Sequence, residues 1–206
     1  MIASLLAAAV VVAAPNQIIS PMPTVSLSAI RSIKCQEGVG SGFIIGKDIV
    51  ATALHVASLT NCHDAETGKG LVIYKKDVVH DFALMTGKLP DVIPIKYSCL
   101  GYITGNRYSS YGITPWHYTS PVFGQYSLVA QDDYSSDGFV VDGNKKMPGM
   151  RHLKGYIVPG NSGGPVIDSE GYAQGINNVS VRGMLGMSVI NDGYSYEIKN
   201  TFLCKP

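Results

Sequence analysis

Pro159-Gly160-Asn161-Ser162-Gly163-Gly164-Pro165-Val166 sets a serine inside a turn rich in glycine. Glycine accepts backbone conformations closed to other residues, so such a turn can be tight and still leave the Ser162 hydroxyl open to an approaching carbonyl. The same turn can aim the main-chain N–H groups of Gly160 and Ser162 at one point. Two donors converging there would stabilise a developing oxyanion, and losing one such donor typically costs on the order of 100- to 1,000-fold in rate. Glycine–serine loops also occur as plain turns. The motif therefore acquires chemical meaning only with a base and an acid to match it.

A serine hydroxyl is a weak nucleophile until a base takes its proton. The histidines are His55, His63, His80, His117 and His152. His55 follows the apolar run Ile49-Val50-Ala51-Thr52-Ala53-Leu54, which reads as a strand leaving the core, with small Ala53 giving the ring room. A third group must orient the imidazole and stabilise its charged form. Asp81 opens Asp81-Phe82-Ala83-Leu84-Met85, and an acid at the head of so apolar a strand is expected at a fixed, partly buried position. Asp64, beside His63 in a polar loop, reads as solvated. Asp77, after Lys75-Lys76, reads as a surface ion pair.

Outward from these residues the pattern is β throughout. Short apolar runs at 42–45, 49–52, 71–74, 82–85, 122–123, 126–130, 138–141, 165–168, 172–177 and 185–190 are separated by turns. The chain holds 23 glycines and 11 prolines to make them. Only residues 53–59 and the tail 194–203 suit short helices. Many short strands with frequent turns predict an all-β barrel or sandwich. Residues 105–120, with Asn106, Gly112 and Pro115, read as a connection between two β lobes. Hydrophobic residues make up 46% and charged residues 15%, so a large core is available and disorder is not expected. The net charge of +1 argues against a nucleic-acid binder working by phosphate neutralisation. Lys75-Lys76 and Lys145-Lys146 read as solvated faces. No Cys or His pair has zinc-site spacing, so neither a metal nor a cofactor is expected.

Thr52-Ala53-Leu54-His55, Asp81-Phe82-Ala83-Leu84-Met85 and the Ser162 loop, in that order, resemble the three catalytic motifs of the chymotrypsin-like serine proteases. The serine loop is similar to that of the bacterial Deg-type branch and of several viral members. The resemblance covers roughly residues 30–192. It implies two six-stranded antiparallel β-barrels with the active site in the cleft between them. Lobe one would span about 28–108 and lobe two about 118–192, with a short helix or tail at 194–206. The implied triad is His55, Asp81 and Ser162, acting through an acyl-enzyme, with residues 159–162 lining the oxyanion hole. Tyr156 aligns with the floor of the specificity pocket, and with Ile157 and Val158 it offers no acid. A small or apolar P1 side chain is expected, with Tyr156, Ile157 and Pro159 against the substrate. Asn177, Asn178 and Val179 align with the strand that pairs with the substrate backbone.

Asn161 stands where trypsin-type zymogens carry an aspartate, so no ion pair with a new N-terminus is expected. The peptide-binding PDZ module of many Deg-type proteases is not expected in this chain. Trypsin relatives bridge places similar to Cys35 and Cys62, which leaves Cys99 with Cys204. Residues 1–20 read as a signal peptide or membrane anchor, since 2–14 are apolar apart from Ser4 but too short for a span of about 20 residues. The expected setting is secreted or periplasmic; a membrane-anchored or polyprotein-derived viral or phage enzyme is the alternative. The expected partner is a protein or peptide substrate. The competing functional reading is a catalytically silent homologue acting as a peptide- or protein-binding module. Asn178-Val179-Ser180 is a glycosylation sequon that reads as fortuitous.

Overall fold

The computed structural model describes residues 25–113, 123–134, 140–141, 145–146, 149–155, 157, 160–185 and 188–205. The first lobe is a six-stranded sheet built from β1 (Ile30–Lys34), β2 (Val39–Gly46), β3 (Ile49–Ala53), β4 (His63–Asp64), β5 (Val72–Asp77) and β6 (Phe82–Thr86). Their order is β4-β1-β2-β3-β6-β5. The remaining strands are β7 (Arg107–Ile113), β8 (Phe123–Tyr134), β9 (Val140–Val141), β10 (Lys145–Lys146), β11 (Arg151–Gly155), β12 (Pro165–Ile167), β13 (Ala173–Leu185) and β14 (Ser188–Glu197). Six of them close into a barrel in the order β11-β14-β13-β12-β7-β8, and β9 pairs with β10. Strand pairing within these sheets is antiparallel.

The expected pair of six-stranded antiparallel lobes is present, with one difference: the first sheet is a half-barrel rather than a closed one. A single bridge, His63 to Gly70, spans its two ends, beside a Leu71 N–H bond to the Cys62 carbonyl. Strand β6 is buried along Phe82, Ala83, Leu84 and Met85, which explains its unbroken apolar sequence. Strand β5 lies at the sheet edge with most of its side chains exposed. One apolar cluster joins Ile33, Phe43, Val50, Phe82 and Met85 of the first lobe to Ile176, Tyr196 and Ile198 of the second. Another, including Tyr108, Leu128, Leu153 and Val166, belongs to the second barrel. The shared cluster holds the lobes against one another, and the residues of interest lie along that seam.

Two of the element assignments read from sequence change and one stands. The stretch read as a connection opens with a strand, since Arg107–Ile113 is β7. Its serines are buried rather than looped out, and Ser110 Oγ donates to Asn177 Oδ1 at 3.1 Å. The tail read as helical continues β14 to Glu197 and then makes only a 3-10 turn, Ile198–Asn200. The helix read at 53–59 is α1 (Leu54–Ala57).

Asp64 is not solvated. It is fully buried, taking the Arg31 Nε–H at 2.6 Å on Oδ2 and the Nη2–H at 2.8 Å on Oδ1. The N–H groups of Glu66 and Thr67 also donate to Asp64 Oδ1. Burial pushes this carboxyl up, but the Arg31 hydrogen bond and charge, with the Thr67 N–H, outweigh it and hold the group below its ordinary value. A buried carboxylate survives only with such partners.

Both cysteine pairs are disulfides, Cys35–Cys62 and Cys99–Cys204. They close loops of 27 and 105 residues. Chain-entropy arguments give each about 3–5 kcal/mol of stability.

Candidate active site

The site begins at the seam between β3 and α1. A helix leaves its first N–H groups without partners, and here Ala53 at the N-cap supplies no side-chain bond. Asp81 substitutes for the missing cap. Its carbonyl accepts the Leu54 N–H at 2.8 Å, and its Oδ1 accepts the His55 N–H at 2.9 Å. Its Oδ2 then lies 2.6 Å from His55 Nδ1. One residue therefore receives the Leu54 and His55 N–H groups and lies against His55 Nδ1, and Nε2 has no hydrogen-bond partner among the described residues. Asp81 is fully buried, while the His55 side chain is 39% exposed. That combination suits an acid that orients and a base that must reach substrate. Asp81 sits at φ 46°, a left-handed conformation uncommon for residues with a Cβ and associated with functional sites.

The second lobe completes the surroundings of Asp81. Asn178, in β13, donates from Nδ2 to Asp81 Oδ2 at 2.9 Å. Its own Oδ1 accepts the Tyr196 N–H at 2.9 Å, so the amide cannot turn over without losing both bonds. Three N–H donors thus converge on the buried carboxylate. Burial, with the charges of Asp81 and Asp77, pushes the Tyr196 phenol up to about 12. Asp77, read as a lysine partner, instead caps the turn before Asp81. Its Oδ1 takes the Val79 and His80 N–H groups, and its Oδ2 lies 2.9 Å from His80 Nδ1. Lys75 lies over the Phe202 ring, 4.2 Å from its centroid.

Ser162 lies across the seam from His55. Its Oγ donates to the Asn178 carbonyl at 3.2 Å, and no hydrogen bond joins it to His55. The turn around it is held by Gly164 N–H to the Asn161 carbonyl at 2.8 Å and by Gly163 N–H to the Asn177 carbonyl at 2.7 Å. Gly163 has φ 84°, and a Cβ there would run into Thr52 and the Ser41 carbonyl, so glycine is required. Among the described residues, neither the Gly160 nor the Ser162 N–H has a hydrogen-bond acceptor.

The other residues singled out from sequence fall differently. Ile157 is buried in the second barrel's apolar cluster, where its side chain packs on Gly193 and is withdrawn from a substrate. Tyr156, Val158 and Pro159 lie outside the described residues. Asn177 is fully buried and holds the loop rather than facing the cleft. Val179 pairs with Tyr194 after a bulge in β13. Strand β13 pairs with β12 only up to Ile176, so its backbone beyond that point has no strand on the β12 side among the described residues. Asn161 is fully buried, and neither polar atom of its side chain finds a partner among the described residues. Asn178 is 4% exposed and spends its Nδ2 on Asp81, so the sequon is not available to a glycan in the folded chain.

Sequence reasoning missed two contributors. The Asn178 side chain was read only as part of a substrate-pairing strand. Ser41, in Gly40-Ser41-Gly42, carried no motif, yet it contacts the serine turn directly. Its N–H donates to the Ser162 carbonyl at 2.8 Å, and its Oγ–H donates to the Gly160 carbonyl at 2.6 Å. The glycines beside it were the available signal: a Cβ at Gly40 would overlap Val56 and crowd the Ser162 carbonyl.

Neither a family model nor a curated protein sequence matches the chain. Solved structures do. The active form of the Rv3671c protease from M. tuberculosis superposes with a TM-score of 0.66 at 18% identity, covering 83% of this chain and 76% of that one. The MamO protease domain from Magnetospirillum magneticum gives 0.61 at 19% identity, over 82% of this chain and 92% of that one. The serine endoprotease from Yersinia pestis gives 0.61 at 16% identity, over 82% of this chain and 58% of that one. The chain has the two-lobed β fold of the trypsin-type serine proteases.

Proposed function

We propose that the chain is a serine endopeptidase with His55, Asp81 and Ser162 as its triad. The observation that carries this reading is the 2.6 Å contact of Asp81 Oδ2 with His55 Nδ1, which would leave Nε2 as the ring nitrogen for Ser162. The Ser162 hydroxyl would rotate from the Asn178 carbonyl to His55 Nε2 as substrate enters. Catalytic hydrogen bonds are often long or misaligned before substrate binds. Ser162 Oγ then attacks the scissile carbonyl while Nε2 takes its proton. The Gly160 and Ser162 N–H groups receive the oxyanion, and Asp81 stabilises the imidazolium. Nε2 returns the proton to the departing amine as the C–N bond breaks. Water then repeats the sequence on the acyl-enzyme, with its proton passing through Nε2 to Ser162 Oγ.

Protein or peptide substrates follow from this chemistry. The free side of β13 beyond Ile176 would pair with an extended substrate backbone. A small or apolar P1 residue is the reading for specificity, because Tyr156, aligned with the pocket floor, and the neighbouring Ile157 and Val158 bring no acid to attract Lys or Arg. Two disulfides are compatible with a secreted or periplasmic setting.

One observation favours a second reading, a catalytically silent peptide-binding module: the Ser162 hydroxyl is bonded to Asn178 and not to His55. A fluorophosphonate probe and labelled casein separate the two. Labelling and cleavage by the folded protein, both lost in Ser162→Ala, support the peptidase. A folded protein that neither labels nor cleaves supports the binding module.

A further inference from the structure

We propose that Ser41 is a positioning residue for the oxyanion-binding turn, an inference that rests on the peptidase reading above. Gly160 and Ser162, whose N–H groups would hold the oxyanion, flank the Gly160–Asn161 peptide. The torsions on either side of that peptide, ψ of Gly160 and φ of Asn161, set one donor relative to the other. The backbone makes such rotation easy, because Gly160 sits at φ 95° and glycine has no Cβ to resist a change. Pairing around the turn fixes its other side: the Asn161 carbonyl takes the Gly164 N–H at 2.8 Å. What fixes the Gly160 carbonyl is the Ser41 hydroxyl, at 2.6 Å.

The hydroxyl is itself directional. Its oxygen accepts the Ile113 N–H at 2.9 Å while its proton goes to the Gly160 carbonyl, so both sides of the hydroxyl are engaged. Ser41 is fully buried, and its main chain is pinned as well. Its N–H holds the Ser162 carbonyl at 2.8 Å, and its carbonyl accepts Thr52 Oγ1–H at 2.7 Å. Strand β2 of the first lobe thus grips the serine turn of the second at two alternate carbonyls, Gly160 and Ser162. The main-chain grip would survive any side chain. Among the described residues the grip on the Gly160 carbonyl belongs to the hydroxyl alone, and it is the one that bears on the peptide between the two donors. In a site of this kind a misplacement of about 1 Å can cost roughly 100-fold in rate.

The test compares wild type, Ser41→Ala and Ser162→Ala, using a chromophoric arylacryloyl ester to acylate Ser162. Deacylation of Ser41→Ala is expected to slow about 10- to 100-fold. The acyl carbonyl stretch is expected to move to higher wavenumber, reporting weaker hydrogen bonds to the carbonyl oxygen. A purely structural loss would lower the folded fraction without moving that band. Unchanged deacylation and an unchanged band in folded Ser41→Ala overturn the inference while leaving the peptidase reading intact. A wild type that never acylates, or a Ser162→Ala variant that still does, overturns the peptidase reading instead. Should Ser41→Ala fail to fold, the wild-type protein decides: the Ser41 hydroxyl proton is expected to be protected from solvent exchange, and a freely exchanging proton overturns the assignment.

Discussion

Asn178 donates its Nδ2–H to Asp81 Oδ2 at 2.9 Å, on the same oxygen that lies against His55 Nδ1. The bond crosses from the second lobe to the first and fixes the acid of the proposed triad from behind. Removing a hydrogen bond to a charged group costs about 1.5–3 kcal/mol, and tenfold in rate corresponds to about 1.36 kcal/mol. Asn178→Leu is therefore expected to lower kcat about 10- to 100-fold with a smaller change in KM. Asn178→Asp adds a negative charge beside the dyad, which favours protonated imidazole. The acidic limb of its kcat/KM profile is expected to move to higher pH. Steady-state kinetics on a chromophoric peptide ester across pH checks both, and wild-type behaviour of both variants would reject the role.

The buried pair of Arg31 and Asp64 makes the first lobe sensitive to acid. The Asp64 carboxyl is held below its ordinary value of 3.8, so the folded state favours its charged form. The stability it contributes is complete above that value and is lost as pH falls through it toward the folded value. Removing one partner of a buried pair costs about 3–5 kcal/mol. Arg31→Met is thus expected to lose that much at pH 7 and to differ less from wild type at pH 2–3. Urea unfolding at several pH values measures it; a constant difference across the range would contradict the linkage.

The two disulfides leave no free cysteine. Native protein is expected to show no titratable thiol, and denatured, reduced protein four. Removing the Cys99–Cys204 bridge by a double serine substitution opens a loop of 105 residues, an expected loss of about 4–5 kcal/mol. For a chain of this size that corresponds to a drop in Tm of about 10–15 °C. Thiol titration and calorimetry check these; thiols in the native protein would exclude the pairing.

Much of this molecule is legible in its sequence, and the exceptions have physical causes. His55 and Asp81 drew attention because each sits beside an unbroken apolar run, and the structure brings the two side chains together. The strand at Arg107–Ile113 was hidden because its polar serines find partners inside the barrel, which composition cannot report. Asp64 looked solvated because its partner, Arg31, is 33 residues away in sequence. Ser41 gave only the weak signal of its flanking glycines, because its contacts depend on where two carbonyls of another lobe arrive. Local patterning sees the residues that shape a strand. It cannot see a hydrogen bond made across a seam.

Asn161 illustrates the same limit and supports a last prediction. Its identity alone removes the zymogen ion pair expected of an aspartate at that place. Its surroundings add a reason against aspartate: the side chain is fully buried, and neither polar atom has a partner among the described residues. It packs on Gly112, where a Cβ would strike the Asn161 amide. A carboxylate there would lose its hydration without gaining a cation among the described residues. Desolvation raises the pKa of such a group, so folding would hold a proton that the unfolded chain releases near pH 4. The sign is then opposite to that of Asp64. Asn161→Asp is expected to resemble wild type most closely below about pH 4 and to fall progressively behind it as pH rises, by about 3 kcal/mol or more at neutral pH. Urea unfolding of the two proteins at pH 4 and pH 7.5 measures the change. An Asn161→Asp protein as stable as wild type at pH 7.5 would mean that a cation or donor reaches this position, and an aspartate-based switch would again be open to the fold.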